Sequence, residues 1–385
     1  MEKRHQAAQD LLSKLIAFDT SNLPGNERPC AEFLAEYLSS KGFVTEVQAL
    51  PEDSSRANII ASIGNPAGKK LIYNGHIDVV PVSEGWTSDP FHAEVRDGKL
   101  YGRGTCDMKG GVAAMTEAAI ALVEDGFDFS GSQLMLVFVC DEELHDRGIK
   151  HYIQSDKFVR AAYAVISEPS SLKCCIAHRG VVRYRLSILG KSCHAGVPSN
   201  GVNAIVNAGH AILALEALAV RIAQRTHPIL PAPTLTPTVI SGGTKDNIVP
   251  NQVDIQIDRR TLPDESIESC MAEIISEMEY LKEGNADFDY RIEPYVSVNA
   301  GYLSPEHPLV GACADTYMSL FGQEMTVCDF NACNDQSYFV NAGVPTLIFG
   351  PGNLEQAHTV DEYVPLDDIY RCTDFFYELA KKLLG

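Results

Sequence analysis

Apolar runs that end in a histidine or an acid recur along this chain, and they constrain its fold more than any other feature. Lys70-Leu-Ile-Tyr-Asn-Gly-His76 has the pattern of a strand and opens into Ile77-Asp78-Val-Val-Pro81. Gln133–Val139 precedes Cys140-Asp-Glu-Glu143, and Ala162–Ile166 precedes Ser167-Glu168-Pro169. The segment Leu100–Gly111 sets Asp107 between two glycine-rich turns, just ahead of an Ala/Leu-rich helix beginning near Val112. His358 follows the apolar run Val344–Phe349 and the turn Gly350-Pro-Gly352. Strands alternating with helical segments predict an α/β sheet covered on both faces. In such a sheet, groups at the C-terminal strand ends converge on one crevice.

The rhythm changes near residue 180. Val181–Leu189 alternates like a half-exposed antiparallel strand, a long helix is predicted over about 202–224, two strands over 235–241 and 251–258, and a helix over about 265–281. This pattern reads as a small α+β domain inserted into the first. From about Pro294 the α/β rhythm resumes, giving a divided domain of 1–179 with 294–385 and an insertion of 180–293. A length of 385 residues exceeds the usual single-domain size and agrees with two domains.

The net charge of -20 argues against nucleic acid or an anionic membrane surface as partner. No 18-residue apolar run is read in the sequence, and the segment after Met1 has no signal-peptide core. Eleven cysteines without a CxxC pair read as reduced thiols, and the expected location is the cytoplasm.

His76, Asp107, the Glu142-Glu143 pair, Glu168 and His358 form a histidine-plus-carboxylate set suited to zinc or a similar divalent ion. One shared carboxylate, Asp107, would leave two further protein groups for each of two metals. Such a pair generates hydroxide from a bridging water. With two adjacent acids, one can bind metal while the other takes the water's proton. Asp78, two residues beyond His76 on the same side of an extended segment, is placed to hold the imidazole through its other nitrogen. Each piece has a plainer alternative: Asp107 could cap the following helix, and Glu142-Glu143 could be a solvated turn. The Cys193-His194 pair offers a thiol route, as does Cys106, although residues adjacent in sequence seldom form a catalytic dyad.

The blocks Gly75–Pro81, Trp86–Phe91, Asp97–Gly104, Asp107–Gly111, Asp141–Glu143, Ser167–Pro169 and Ala357–Tyr363 closely resemble, in order, those of the acetylornithine deacetylase / succinyl-diaminopimelate desuccinylase family. Carboxypeptidase G and the aminoacylases are relatives of that family. The resemblance implies a mixed, mostly parallel sheet between helices, a smaller α+β lid and dimerisation domain, and hydrolysis of a linear amide in an N-acyl amino acid or small peptide. It implies two divalent metals, zinc first with cobalt able to substitute, one held by His76, Asp107 and Glu168 and the other by Asp107, Glu143 and His358. Glu142 matches the family's general base and Asp78 its supporting acid. His194 matches a histidine that, in dimeric members, reaches the partner's site and steadies the oxyanion. Asn247 and Arg260 resemble groups that bind the substrate carboxylate, and Gly352 lies in a glycine turn near His358.

The chain also departs from the family pattern. Ser337 stands where desuccinylases carry an arginine, which counts against a succinyl-diaminopimelate substrate. The turn after His194 lacks the usual serines, and Glu143 is followed by Leu-His-Asp-Arg-Gly. A metallo-dipeptidase or carboxypeptidase, and a non-catalytic binding member, are the competing expectations.

Overall fold

The computed structural model describes all residues, Met1–Gly385. The chain forms two compact units, one of Met1–Ile176, Tyr302–Phe330 and Asn334–Gly385, the other of Ala177–Gly301 with Asn331–Cys333.

The first unit is built on a nine-stranded mixed sheet. Its strands before the second unit are β1 (Val44–Leu50), β2 (Asp53–Gly64), β3 (Lys69–His76), β4 (Ser132–Val139), β5 (Tyr163–Ile166) and β6 (Cys174–His178). The second unit contributes β7 (Gly180–Leu189), β8 (Thr234–Gly242), β9 (Gln252–Thr261) and β10 (Asp289–Val298) to a sheet of its own. The large sheet is completed by β11 (Gly301–Tyr302), β12 (Val327–Phe330) and β13 (Thr346–Ile348), in the order β1-β2-β4-β3-β5-β13-β6-β11, with β12 beside β6.

Its centre is parallel: β3 pairs in parallel with β4 and β5, and β13 with β5. The pairs β1/β2, β2/β4 and β13/β6 are antiparallel. Because β3, β4, β5 and β13 run the same way, the segments that follow them leave by one edge of the sheet. Those segments begin at Ile77, Cys140, Ser167 and Phe349.

Helices α1 (Glu2–Ile16), α2 (Arg28–Ser39), α3 (Gly110–Glu124) and α4 (Arg147–Gln154) belong to this unit. Helix α3 is buried on nearly every face, which its Ala-rich sequence permits without a charged stripe. Gly111 makes the close packing possible, since a Cβ there would stand 2.3 Å from the Ser167 carbonyl oxygen. The fully buried Lys109 donates to the carbonyls of Leu15 and Phe18 at 3.1 and 3.0 Å, tying the start of α3 to the end of α1. Phe349 stacks on Phe375 with centroids 3.8 Å apart. Fully burying such a side chain contributes about 1.5–3 kcal/mol.

In the second unit, β8-β9-β7-β10 form an antiparallel sheet. The core of this unit joins Val182, Tyr184, Leu186, Ile188, Ile255 and Ile257 to apolar residues of α5 (Ala204–Ile222) and α6 (Ile267–Gly284). Pro294 lies inside β10, the fourth strand, and not at the return of the α/β rhythm. The strand is at the sheet edge and its pairing shifts between Pro294 and Val296, a position that tolerates a missing N–H. By length and composition helix α5 is apolar enough to cross a membrane, but Asn207, His210, Glu216 and Arg221 interrupt it, so it is not an unbroken 18-residue apolar run. Its inner residues, among them Ala208, Ala211, Leu215 and Leu218, are buried in the core of the unit.

Helices α7 (Pro308–Phe321), α8 (Gln336–Asn341) and α9 (Leu366–Leu384) complete the first unit.

Candidate metal centre

The five expected ligands meet at one edge of the large sheet. Asp107 divides its carboxylate between two imidazoles: Oδ1 lies 3.0 Å from His76 Nε2, and Oδ2 lies 3.5 Å from His358 Nε2. Glu168 Oε1 is 3.8 Å from His76 Nε2, and both Glu143 oxygens are 3.0 Å from His358 Nε2. Candidate ligand atoms of His76, Asp107 and Glu143 lie within 4.8 Å of one another. Asp107 does not cap the following helix, at whose N-cap position, Lys109, no side-chain capping hydrogen bond is made.

His76 ends β3, and its Nδ1–H donates to the backbone carbonyl of Asp78 at 2.9 Å. That bond fixes the ring with Nε2 facing the carboxylates, where it carries a proton to Asp107 in the metal-free protein and would offer its lone pair to a metal held between them. The Asp78 carboxylate does not make this contact, its Oδ1 being 3.7 Å from His76 Nδ1. It accepts the backbone N–H groups of Glu142 and Glu143 instead, each at 3.1 Å. The expected support of the ring by the Asp78 carboxylate is therefore corrected. The extended turn brings the Asp78 carbonyl to the ring and leaves the carboxylate free to hold the two-acid loop.

The acids are crowded and poorly solvated. Burial, then the neighbouring Asp107, pushes Glu143 up to about 7. Burial also holds Glu168 and Glu142 well above their usual values, with neighbouring acids adding to the effect. For His76, burial works against the charged ring, but the hydrogen bond to Asp107 and the field of Glu168 prevail and raise its pKa. Buried carboxylates facing two imidazoles are short of positive charge, and this donor set fits divalent metal. His358 adopts φ 62, an uncommon conformation for a side chain other than glycine.

Gly352 also needs its conformation, with φ 80. A Cβ there would lie 2.7 Å from Cys106 Sγ, so this glycine has a packing reason beside any role toward substrate. Burial, then Glu362 and Asp107, keeps Cys106 well above the ordinary thiol range, and its Sγ lies 3.2 Å from the Asn353 carbonyl. This environment disfavours a thiolate nucleophile.

In the second unit, Cys193-His194 pairs with Ile248–Val249, and the Ala195 N–H donates to the Asn247 carbonyl at 3.0 Å. These contacts bring His194 and Asn247 side by side. His194 is exposed, its Nδ1 accepting from the Gly196 N–H at 3.0 Å. Cys193 Sγ lies 3.4 Å from the Val197 carbonyl. Arg260 Nε donates to Asp258 at 2.9 Å and keeps partial exposure, whereas Arg259 is buried and bonded to Glu265 at 2.7 Å.

Two groups near the metal centre were not singled out from sequence. Glu362 is buried and accepts from Arg103 Nη1 at 2.6 Å and from the backbone N–H groups of Gly104, Cys106 and Asp107 at 3.1, 2.9 and 3.1 Å. It lies four residues past His358 and so ties that segment to the Asp107 loop. The buried ion pairs of Arg56 with Glu27 and Asp141 form the second group, and Asp141, at φ 60, precedes the acid pair. Glu362 stands in a recognisable block, but its work depends on a loop far away in sequence. Arg56 carries no local signal at all.

The family model described as peptidase family M20/M25/M40 matches residues 72–382. An acetylornithine deacetylase from Proteus mirabilis (strain HI4320) is 31% identical over 363 residues, covering 91% of this chain and 87% of its own length. Among solved structures, aminopeptidase PepT from Bacillus cereus ATCC 10987 superposes with a TM-score of 0.82 at 20% identity, covering 99% of each chain. A dinuclear metal binding peptidase from Bacillus subtilis gives a TM-score of 0.75 at 15% identity, covering 99% of this chain and 98% of its own. At these identities the two structures establish likeness of fold.

Proposed function

This chain belongs to peptidase family M20/M25/M40, and we propose that within it the protein is a deacylase that hydrolyses the amide of an N-acetylated amino acid of the N-acetylornithine type. The observation that carries the reading is the division of the Asp107 carboxylate between His76 and His358. A bridging acid flanked by two imidazoles and two further carboxylates suits two divalent ions. His76, Asp107 and Glu168 would hold one, and Asp107, Glu143 and His358 the other. Zinc fits the nitrogen and oxygen donors, and cobalt can substitute. When bound, the metals supply Lewis-acid polarisation of the amide carbonyl and acidify water.

The remaining steps belong to side chains. Glu142 takes a proton from the attacking water and delivers it to the leaving nitrogen, as a general base and then a general acid. Its loop is held by Asp78, which keeps the carboxylate oriented. His194 steadies the oxyanion of the tetrahedral intermediate, and Asn247 and Arg260 bind the substrate carboxylate. Ser337 supplies no cation for a second carboxylate, which favours an acetyl over a succinyl group.

The working form is a homodimer through the second unit, in which His194 acts in the partner's site. Val206, Leu213 and Val220 form an exposed apolar stripe on α5, and the edge strand β8 exposes Val239 and Ile240. The cytoplasm, where the eleven thiols would stay reduced, is the proposed location.

The test is amine release from N-acetyl, N-formyl and N-succinyl amino acids and dipeptides, using chelator-stripped protein before and after zinc or cobalt is restored. Activity that returns only with metal and is greatest on N-acetylornithine supports the reading. A dipeptide as best substrate would make the protein a dipeptidase. Turnover indifferent to chelation would overturn the metal mechanism.

A further inference from the structure

Cys175 and Cys328 stand on adjacent strands of the first unit, β6 and β12, with their sulfur atoms 3.5 Å apart. The strands are held together by the Cys174 N–H, which donates to the Thr326 carbonyl at 2.9 Å. We propose that these two residues form a dithiol modification site, in which Cys328 is the attacking thiol, Cys175 the resolving thiol and a small-molecule disulfide the oxidant. This goes beyond the proposed hydrolysis, which uses neither sulfur.

Geometry is the first support. Neighbouring strands lie about 4.8 Å apart, and disulfides span Cα separations of about 4.4–6.8 Å. The bond can therefore form by rotation of the side chains, without separating the strands. Cys174 does not compete, because successive residues of a strand face opposite sides.

The two sulfurs are also unequal. Cys175 is buried at 2% exposure, whereas Cys328 is partly exposed and open to a reagent. Cys328 is lowered to about 7, first by the hydrogen bond from the Cys175 thiol and then by the positive charge of Lys173. Its partner is pushed the other way by the same hydrogen bond and by burial. A thiolate attacks and a thiol waits, which is the division that exchange requires.

The Cys328 thiolate attacks one sulfur of the small disulfide. A Cys328 mixed disulfide forms and one small thiolate leaves. Cys175 then releases its proton to solvent and attacks the Cys328 sulfur, and the second small thiolate leaves. The protein loses two electrons and two protons, and one small disulfide is reduced to two thiols.

The experiment exposes the reduced full-length protein to oxidised glutathione and follows intact mass and peptide maps. Wild type and Cys174→Ser are expected to lose two hydrogens and gain a cross-link that reductant reverses. Cys175→Ser and Cys175→Ala should stop at a glutathione adduct on Cys328, and Cys328→Ser should form neither product. Circular dichroism checks that each variant is folded. Pulse alkylation of wild type needs no variant and should label Cys328 about tenfold faster than an unperturbed exposed thiol. A cross-link that survives Cys175→Ser, or ordinary labelling of Cys328 with no adduct on it, would overturn the proposal.

Discussion

Glu362 accepts the backbone N–H of Asp107 at 3.1 Å, so the acid four residues past His358 orients the carboxylate that stands between His76 and His358. The same carboxylate pairs with buried Arg103 and holds the N–H groups of Gly104 and Cys106. Removing it leaves a buried guanidinium, stacked over Trp86, and three backbone donors without their hydrogen-bond acceptor. Glu362→Ala is expected to cost about 3–5 kcal/mol of stability, read as a lower melting temperature. Glu362→Gln, which keeps the shape, should lose less stability while still weakening metal binding. A Glu362→Ala protein with an unchanged melting temperature would contradict this role.

Asp78 serves the acid loop through two charge-assisted hydrogen bonds. In Asp78→Asn one of the two N–H donors faces an amide nitrogen that cannot accept. The expected outcome is a fall in kcat of about 10–100-fold with the imidazole of His76 still in place. Metal titration checks the second half: affinity at the His76 position should change less than kcat.

Glu142→Gln keeps the volume of the side chain and removes its proton chemistry. Turnover should fall by about 10²–10⁴-fold, with metal content by elemental analysis equal to wild type. Normal turnover would remove Glu142 from proton transfer.

The metal-free protein should be more stable in mild acid than above neutrality. Burial, then the charge of Asp107, pushes Glu143 up to about 7, and burial, then the charge of Asp146, does the same for Asp335. Folded-state values above the unfolded ones mean that the folded chain binds protons more tightly. This stabilisation is fully present below about pH 4 and is lost as the pH rises through about 7. Between pH 5.5 and 8 the melting temperature of chelated protein should drop by about 5 °C. Zinc should restore more stability at pH 8 than at pH 5.5, because metal replaces the proton at the Glu143 carboxylate. Thermal scans with and without metal at both pH values test the sign.

Val206, Leu213 and Val220 recur at seven-residue spacing on the outer face of α5, and Leu213 is 64% exposed. If this stripe joins two copies, Leu213→Glu with Val220→Glu should raise the dimer dissociation constant at least about 30-fold. Sedimentation velocity across a concentration series measures it. Loss of activity on dilution, with each monomer still folded, would accompany the change if His194 acts across the interface.

Much of the fold was legible in local pattern. The strands ending at His76, Val139 and Ile166 and the helix after Asp107 show their period and turn residues within a few positions. The strand Asp289–Val298 was not legible, because Pro294 reads as a break until an edge position and a shift in pairing accommodate it. The candidate ligands stood out as residue types at the ends of apolar runs. Their partners did not, because a hydrogen bond such as Asp78 to the 142–143 loop leaves no local trace.

What sequence by itself determined was an alternating α/β framework, an insertion of different rhythm, and a histidine-and-acid set at strand ends, since period and turn chemistry are short-range properties. Only the tertiary structure decided which oxygen of Asp107 faces which imidazole, that the Asp78 carbonyl and not its carboxylate meets His76, and that Glu362 anchors the Asp107 loop. Those relationships arise where parallel pairing of β3, β4, β5 and β13 brings distant segments to one sheet edge, and burial there makes each unpartnered polar atom costly.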